Sequence, residues 1–363
     1  MKKSLIALAV LAASGAAMAQ STVTLYGLID ASIQVVKTPS YNTTTGALTS
    51  LSQTNLTSGG QNGSRWGLKG SEDLGGGLNA VFDLQSGFNV DTGVSGQGGA
   101  LFGRHAFVGL SGGFGTLTFG RHDTSYDDVK GNVLASANNS FDAANGAGVS
   151  AATYATIVNP AATAAQILAV ANIYGANTGA WTGYNSRVNN SIKYQTNNYG
   201  GFSAGVTYGL GEDKTATVKA THTLSLNAQY ANGPIGAAVA YQEETLSKTA
   251  AKTVYLKNTL IGGSYDFGVA KLYAAYNQAK VTDIDSQKES ALGVSVPVGA
   301  LTLRAEVARS KGDLLGKNSG YDLEALYDLS KRTTVYTSYV STKHEVVDDK
   351  RTSAFAVGLR HKF

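Results

Sequence analysis

Apolar and polar residues alternate one by one along most of this chain, and no other feature restricts its possible fold as much. In the final segment, RTSAFAVGLRHKF, the residues Phe355, Val357 and Leu359 share one parity, and small or basic residues occupy the other. Side chains two residues apart lie on the same face of a β-strand, so such a segment has one apolar and one polar face. The same period recurs in three further segments: 78–88, 301–309 and 321–329.

The connectors between these segments alternate between tight turns and long polar stretches. The tight turns are rich in glycine and asparagine, which favour hairpins, and lie at 74–77, 111–115, 197–201, 232–234 and 330–332. The long stretches lie at about 37–62, 91–101, 123–186, 211–221, 247–253, 281–288, 311–319 and 346–351. Counting strands between the connectors predicts sixteen strands in one domain, 20–363.

The polar parity distinguishes a soluble β-protein from a membrane barrel. A soluble barrel of sixteen strands would need an apolar interior that something packs. Here the parity opposite to the apolar one carries Asp, Glu, Arg, Lys, Gln and Thr. Outer-membrane barrels have this pattern, with apolar side chains towards lipid and polar ones towards a water-filled lumen. We therefore predict an all-β fold, a 16-stranded antiparallel transmembrane β-barrel, closed because lipid offers no partner to a free strand edge.

The N-terminal segment is expected to be absent from the mature protein. Lys2 and Lys3 precede an apolar run from Leu5 to Ala13, and Ala17–Ala19 supplies a cleavage site of small residues. This is the pattern of a secretory signal peptide, 1–19, whose apolar run is too short to span a membrane. No later stretch of the sequence is apolar enough to form a membrane helix, and the sequence contains no cysteine.

Charge and motifs exclude several classes of function. The formal net charge is +4, and two of these charges are lysines of the predicted signal peptide, which leaves +2. Such a small excess does not argue for nucleic acid binding. The histidines show no metal-ligand spacing, so we predict neither a metal nor a cofactor. GLSGG at 109–113 matches a hydrolase motif, but it lies in a glycine hairpin with no helix after it, so we predict no enzyme.

Several longer motifs occur in order along the chain. They are VTLYGLIDA at 23–31, SRWGLKGSEDLGGGL at 64–78, GRHAFVGL at 103–110, GTLTFGR at 115–121, SRVNNSIKY at 186–194 and the terminal Phe363. With these motifs the chain resembles the trimeric general porins of Gram-negative outer membranes, in particular their Burkholderiales- and Neisseria-like branch. The resemblance implies a homotrimer in outer-membrane lipid and a water-filled channel for passive diffusion of small hydrophilic solutes and ions.

The resemblance also has implications for two parts of the chain. It implies that the third long loop folds inward to narrow the lumen. It further implies that the terminal strand, ending at Phe363, is a signal for the barrel-assembly machinery. An ordinary aromatic residue at the membrane surface is the alternative interpretation of Phe363.

Strand parity assigns directions to the basic side chains near these motifs. Trp66 faces lipid by parity, and we assign the same direction to His105 and Phe107. This leaves five basic residues that face the lumen: Arg65, Lys69, Arg104, Arg187 and Lys193. An arginine facing lipid at mid-bilayer costs about 2–4 kcal/mol, which also favours the inward direction. The three arginines match by motif those that line the constriction in the resembled family; a structural pairing with Asp or Glu is the alternative.

Arg121 differs from these arginines because its parity matches the outward Leu117 and Phe119. In the resembled family the corresponding position pairs with the second loop of a neighbouring subunit. Asp91 is the acid of that loop in this sequence, so we expect Arg121 and Asp91 to meet at a trimer interface. A role for Arg121 in the pore is the alternative.

The third loop, about 123–185, carries the acids expected to face the arginines. Asp127, Asp128 and Asp142 are the candidates, and the alanine-rich segment Pro160–Ala176 suggests a short helix. Several arginines against few loop acids would give a positive constriction, which predicts a preference for anions. A substrate-specific channel for sugars or organic acids is the alternative, and a barrel plugged by its loop is a more distant one.

Overall fold

The chain forms one closed antiparallel sheet in a computed structural model. The structure describes residues 22–41, 48–137, 139–144, 180–248, 251–283, 286–312, 316–345 and 351–363. Neighbouring strands of the sheet are antiparallel and hydrogen-bonded, and the last strand pairs with the first, so the sheet closes into a barrel. The predicted signal peptide, 1–19, and the predicted helix at Pro160–Ala176 lie outside the described residues.

The described part of the chain contains seventeen strand segments. They are β1 Thr22–Tyr41, β2 Leu48–Ser58, β3 Arg65–Gly75, β4 Leu78–Gly87, β5 His105–Gly112, β6 Gly115–Asp123, β7 Arg187–Gln195, β8 Phe202–Leu210, β9 His222–Asn232, β10 Ile235–Lys248, β11 Thr253–Asp266, β12 Lys271–Val281, β13 Gln287–Val298, β14 Leu301–Gly312, β15 Gly316–Asp328, β16 Thr333–His344 and β17 Arg351–Lys362. The helical elements named there are the 3-10 turns Gln97–Gly99 and Asp127–Val129 and the short helix α1, Lys130–Val133. No helix in the described part of the chain is long and apolar enough to cross a membrane.

Two of the strand segments share one position in the barrel. Along the same edge, β1 pairs through 31–41 with β2 and through 22–28 with β3. The sheet therefore has sixteen strand positions, and the predicted 16-stranded antiparallel barrel is confirmed. Residues 59–64, the interrupting segment, separate β2 from β3.

The interrupting segment finds its hydrogen bonds inside the barrel rather than in the sheet. One carboxylate oxygen of Asp30 accepts the backbone N–H groups of Gln61 at 2.9 Å and Asn62 at 2.7 Å. The side-chain amide of Gln61 donates to Glu324 and Ser338, on two strands further around the wall. The break in the strand is thus satisfied by buried polar groups, as buried backbone groups require.

The first long loop is shorter than the sequence pattern predicted. Residues 37–62 read as a loop, yet β1 extends to Tyr41 and pairs residue by residue with β2, from Ala31 opposite Ser58 to Tyr41 opposite Leu48. The prediction failed because the hairpin beyond Val36 is rich in Ser and Thr and lacks the apolar alternation that Ile33 and Val35 show earlier in β1. The backbone ladder continues through this part of the hairpin because its hydrogen bonds do not depend on an apolar face.

The two faces of the barrel have opposite chemistry. Large apolar side chains such as Val357 (55% exposed) and Leu323 (54% exposed) cover the outer face. Polar and charged side chains on the other parity, such as Glu306 and Asp322, are buried inside. Inward polar residues and outward apolar ones are the arrangement expected of a barrel in lipid.

The main apolar cluster lies between the β6–β7 connection and the wall of β10–β14. The connection contributes Tyr126, Val129, Val133, Leu134 and Trp181. The wall contributes small residues of the inward parity: Ala238, Ala240, Ala275, Ala291 and Ala308. Alanine at these positions leaves room for a chain segment to pack directly against the sheet.

The barrel closes at a contact between its two ends. Gly27 and Phe363 exchange two backbone hydrogen bonds, with N–O distances of 3.1 Å and 3.0 Å. The Phe363 ring lies over Gly27 so closely that a Cβ atom there would be 2.6 Å from the ring and 2.5 Å from the Arg65 carbonyl oxygen. The absence of a side chain at residue 27 therefore lets the last residue complete the sheet.

We expect the substitution Gly27→Ala to destabilise the barrel, because the new methyl group must displace backbone or the Phe363 ring. Overpacking of this kind costs about 1–3 kcal/mol. Gly113→Ala is the matched control, since a Cβ atom at residue 113 meets nothing within 4 Å; its effect should stay within about 0.5 kcal/mol. Urea unfolding in micelles measures both, and equal stabilities would contradict the proposed role of the contact.

Candidate functional site

Three predicted arginines lie together on one side of the lumen. Arg65 leads β3, Arg104 immediately precedes β5 and Arg187 leads β7. Their guanidinium groups are near enough for their charges to interact with one another. The Arg104 Nε donates to the Gln85 side chain at 2.6 Å, and an Arg65 Nη donates to the Gly63 carbonyl at 3.0 Å. Both contacts are with uncharged acceptors, so these two arginines keep their positive charge available.

The directions assigned to His105 and Phe107 were wrong, because both side chains face the lumen. The outward residues of β5 are the exposed Val108 and Leu110. His105 and Phe107 line an inner recess with residues such as Lys193, and the Phe107 ring stacks on His122 with 4.8 Å between centroids. Arg104 still reaches the lumen because it precedes the strand, where strict alternation does not apply.

Asp123 is the acid that meets the arginine group. Its carboxylate lies 2.6 Å from Arg187 Nε and 2.9 Å from His105 Nε2. The other ring nitrogen of His105 lies 3.0 Å from Asp83 Oδ2. A neutral imidazole has one N–H group, so only the doubly protonated ring satisfies both carboxylates. Sequence reasoning did not choose Asp123, since it lies at the end of β6, outside the run of candidate loop acids.

The candidate acids Asp127 and Asp128 are paired with lysines. Asp127 lies 2.9 Å from Lys130 Nζ and accepts a hydrogen bond from the Tyr184 hydroxyl at 2.8 Å. Asp128 lies 2.7 Å from Lys193 Nζ, which also donates to the Asp123 carbonyl at 2.9 Å. The structure therefore brings Lys193 and both acids beside the arginine group, with their charges largely neutralised.

Burial shifts the pKa of two side chains in the β6–β7 connection. It raises the pKa of Asp128, and the ammonium group of Lys193 opposes that shift. It also raises the pKa of the Tyr184 hydroxyl well above its ordinary value, with the nearby Asp127 charge acting in the same direction. Tyr184 is therefore a permanent hydrogen-bond donor to Asp127.

Two other predicted residues lie apart from this group. Lys69 is exposed and lies over the ring of Tyr26, 5.1 Å from its centroid. Asp142 is buried beside Glu306 and Asp322 of the β14–β15 wall, and it accepts the backbone N–H of Ala144 at 2.8 Å. Asp142 thus belongs to the acidic wall rather than to the arginine group.

The acids of the barrel wall bind the β6–β7 connection. Glu306 accepts the backbone N–H of Ala135 at 2.8 Å, and Asp322 accepts both the Ser136 hydroxyl at 2.7 Å and the Ala143 N–H at 3.0 Å. Further along the connection, Glu289 binds Thr182 and Glu244 binds Asn185 in the same way. Hydrogen bonds to carboxylates are stronger than neutral ones, so these contacts fix the connection firmly to the wall.

Sequence reasoning missed Arg360 on the last strand. It donates to the Asn62 side chain at 2.7 Å and to the Thr334 hydroxyl at 3.2 Å, and its charge acts on Arg65. The signal was available, since Arg360 lies on the parity opposite to Val357 and Leu359. A fourth positive charge thus joins the arginine group from across the closure of the barrel.

Arg121 lies on the outer face, as its parity predicted. It shares its side of β6 with the exposed Phe119. Its Nε donates to the Gly103 carbonyl at 2.7 Å and one Nη donates to the Asn189 side chain at 2.5 Å. Asp91 is exposed in the connection between β4 and β5.

Comparison with known proteins places this barrel in a family. The model of the family described as Gram-negative porin matches residues 5–345. The chain belongs to the Gram-negative porin family. A Bordetella pertussis outer membrane porin is 32% identical to it over the full length of both proteins, and outer membrane porin protein 32 of Delftia acidovorans is 34% identical, with 95% of this porin and 90% of that protein covered.

A solved structure shares both the fold and part of the sequence. The anion-selective porin from Comamonas acidovorans superposes with a TM-score of 0.72 and is 27% identical, covering 95% of this porin and all of that chain. Together with the closed barrel, these relationships establish an outer-membrane porin of a Gram-negative bacterium. It forms a channel for passive diffusion, and its family and fold are those of channels.

The attachment of the β6–β7 connection can be tested at Asp322. In Asp322→Asn one acceptor oxygen becomes an NH₂ group, so either Ser136 or Ala143 loses its partner at a cost of about 1–3 kcal/mol. Trypsin reports the release, because Lys130 is the one Lys or Arg between 124 and 186. We expect cleavage after Lys130 to become roughly tenfold faster.

The control for this experiment is Asp266→Asn, an exposed Asp at the end of β11 that binds Gly268 in its own turn. It should leave cleavage after Lys130 unchanged. Equal cleavage rates in the two variants would show that Asp322 does not hold the connection.

Proposed function

We propose that this porin prefers anions and that Arg65, Arg104 and Arg187 form its constriction. One observation carries the proposal: these arginines lie together on one wall, while the acids of the opposite wall are buried under the β6–β7 connection. The similarity to a porin whose title calls it anion-selective supports the same conclusion. The channel would then select ions by the charge of the arginines and by its width, without catalysis.

The balance of charge around the arginine group supports the proposed selectivity. Arg187, Lys193 and Lys130 each lie against a carboxylate, so their contributions nearly cancel. Arg65, Arg104 and Arg360 bind uncharged groups instead. The lumen there therefore carries an excess of positive charge, which concentrates anions and repels cations.

We also propose that the third loop lies inside the lumen and narrows it. Three kinds of contact support this course: hydrogen bonds to the wall acids, packing against inward alanines, and a hydrogen bond from Ser140 to Gly60 of the interrupting segment.

A channel specific for sugars or organic acids would use the same architecture. Such a solute would block ion current at low concentration, whereas a general porin would show no saturable block.

The selectivity proposal predicts the effect of neutralising two arginines. In the double variant Arg65→Gln, Arg104→Gln the barrel keeps its hydrogen-bonding groups but loses two unpaired charges. The reversal potential in a KCl gradient should move towards the cation-selective sign, with the anion-to-cation permeability ratio falling about twofold or more. Planar bilayer recordings of single insertions measure it.

Arg332→Gln serves as the control, since Arg332 is exposed in the turn between β15 and β16. Its reversal potential should match the unmodified porin. A cation-selective reversal potential of the unmodified porin itself would overturn the proposal.

We propose further that the porin is a homotrimer in which Arg121 pairs with the partner subunit's Asp91. The outward direction of Arg121, in a region of apolar surface, supports an interface rather than a pore role. The substitution Arg121→Asp should dissociate the trimer, and adding Asp91→Arg should restore it by reversing the pair. Light scattering coupled to size exclusion gives the subunit number; a trimer that survives Arg121→Asp would contradict the pairing.

The proposal extends to the roles of the two ends of the chain. We propose that 1–19 is a signal peptide that directs export, and that Phe363 is recognised by the barrel-assembly machinery before the barrel closes. The small-residue site before Gln20 supports the first point, and the position of Phe363 at the closing contact supports the second. Mass spectrometry of the purified porin would show whether the mature chain begins at Gln20.

A further inference from the structure

His105 lies between two carboxylates inside the lumen, directly after Arg104 in the sequence. Its Nδ1 lies 3.0 Å from Asp83 Oδ2 on β4, and its Nε2 lies 2.9 Å from Asp123 Oδ2 at the end of β6. The His105 side chain is 22% exposed and lines the inner recess. Water in the channel can therefore exchange a proton with the ring.

The two contacts require a doubly protonated ring. An ionised carboxylate only accepts hydrogen bonds, and each ring nitrogen of His105 faces one. In a neutral imidazole one nitrogen carries a lone pair in place of the proton. That lone pair would oppose a carboxylate oxygen at 2.9 or 3.0 Å, so one contact would become repulsive. Loss of the proton therefore changes both the charge and the fit of this group.

The two carboxylates differ in their other partners. Asp123 also lies 2.6 Å from Arg187 Nε, so a second cation neutralises it. Asp83 accepts a hydrogen bond from the Tyr26 hydroxyl at 2.5 Å, which adds no charge. Among the described residues, the ion pair of Asp83 is the one with His105. When His105 loses its proton, the charge of Asp83 is therefore no longer neutralised.

Other ionisable side chains surround this group on the neighbouring elements. They are Tyr26 on β1, Arg65 and Lys69 on β3, Arg104 before β5, His122 on β6, Asp127, Asp128 and Lys130 in the β6–β7 connection, and Arg187 and Lys193 on β7. Carboxyl, phenol, ammonium and guanidinium groups have ordinary pKa values outside about pH 5–9, whereas histidine changes its charge within that range. His122 is 2% exposed and stacks on the Phe107 ring, which separates it from the channel. His105 is thus the histidine of this set that the channel water reaches.

We propose that protonated His105 is a specificity-determining residue of the channel and makes its ion preference depend on pH. With the proton, the two carboxylates, the imidazolium and Arg187 sum to zero charge. Without it, the same four groups carry one negative charge beside Arg104. Such a charge lowers the local concentration of anions and raises that of cations. This role of His105 rests on the proposed constriction, but the direction of the change does not depend on the starting preference.

The experiment records reversal potentials of single insertions in planar bilayers from about pH 5 to about pH 9, the range in which histidine titrates. One KCl gradient of low ionic strength is used throughout, because salt then screens the charges least. The variants are His105→Gln, the double variant His105→Gln, Asp83→Asn, and the control His361→Gln. His361 is exposed near the end of β17, where its ring contacts the Thr333 hydroxyl.

We expect the anion-to-cation permeability ratio of the unmodified porin to fall about twofold as the pH rises. His105→Gln should start at the lower ratio and lose most of the pH dependence. The double variant removes one charge of each sign, so its ratio should return to the low-pH value of the unmodified porin and stay there. A residue needed only for folding would not be rescued in this way. His361→Gln should follow the unmodified porin.

The proposal would be overturned by a permeability ratio of the unmodified porin that stays constant with pH. An equal pH dependence in the unmodified porin and in His105→Gln would also overturn it. Titration of buried acids, such as Asp128 or Asp322, occurs in both proteins, so the difference between them isolates His105. A cation-selective ratio at every pH would contradict the proposed preference for anions instead. A fall with pH that His105→Gln abolishes would still support the role of His105 in that case.

Discussion

Lipid accepts no hydrogen bonds, so every backbone N–H and C=O group of a membrane-spanning sheet needs a partner within the protein. A sheet meets this condition only if its last strand pairs with its first, and β17 does so with β1 along ten consecutive residue pairs. The alternation of side chains follows from the same closure, because a closed sheet has one face in lipid and the other in water. The charged lumen and the apolar outer surface both depend on that ring of hydrogen bonds.

Within the lumen, charge of the two signs is distributed unequally around the wall. The arginine group lies at the starts of β3, β5 and β7 and on β17, where Asp123 pairs with Arg187, and the acids that bind the β6–β7 connection lie on β10, β13, β14 and β15. Because the acids accept hydrogen bonds from the chain that crosses between β6 and β7, they hold that chain and are shielded by it. The arginines have no such cover. The proposed preference for anions rests on this unequal distribution of charge.

The barrel was predictable from the sequence because closure imposes a period of two on every strand. The prediction failed where the period does not apply. The first hairpin lacks apolar alternation beyond Val36, so β1 and β2 were assigned too little chain. His105 and Phe107 were assigned to lipid and Arg104 to the lumen by strict alternation, which does not extend to Arg104 because it precedes the strand. Partners of the charged groups were less predictable still: Asp123 and Arg360 acquired theirs through contacts between distant segments, which the pattern of one strand does not contain.

The break between β2 and β3 has a consequence for how this sequence can vary. The interrupting segment holds Asp30 on one side and, through Gly59 and Gly60, accepts hydrogen bonds from Ser140 on the other. The interrupting segment and the chain around Ser140, some eighty residues apart in the sequence, are therefore held against each other by hydrogen bonds. A deletion or insertion in either segment would break these hydrogen bonds unless the other segment changed with it. Among relatives of this porin, lengths and residue types at 59–64 and around 140 should accordingly be inherited together.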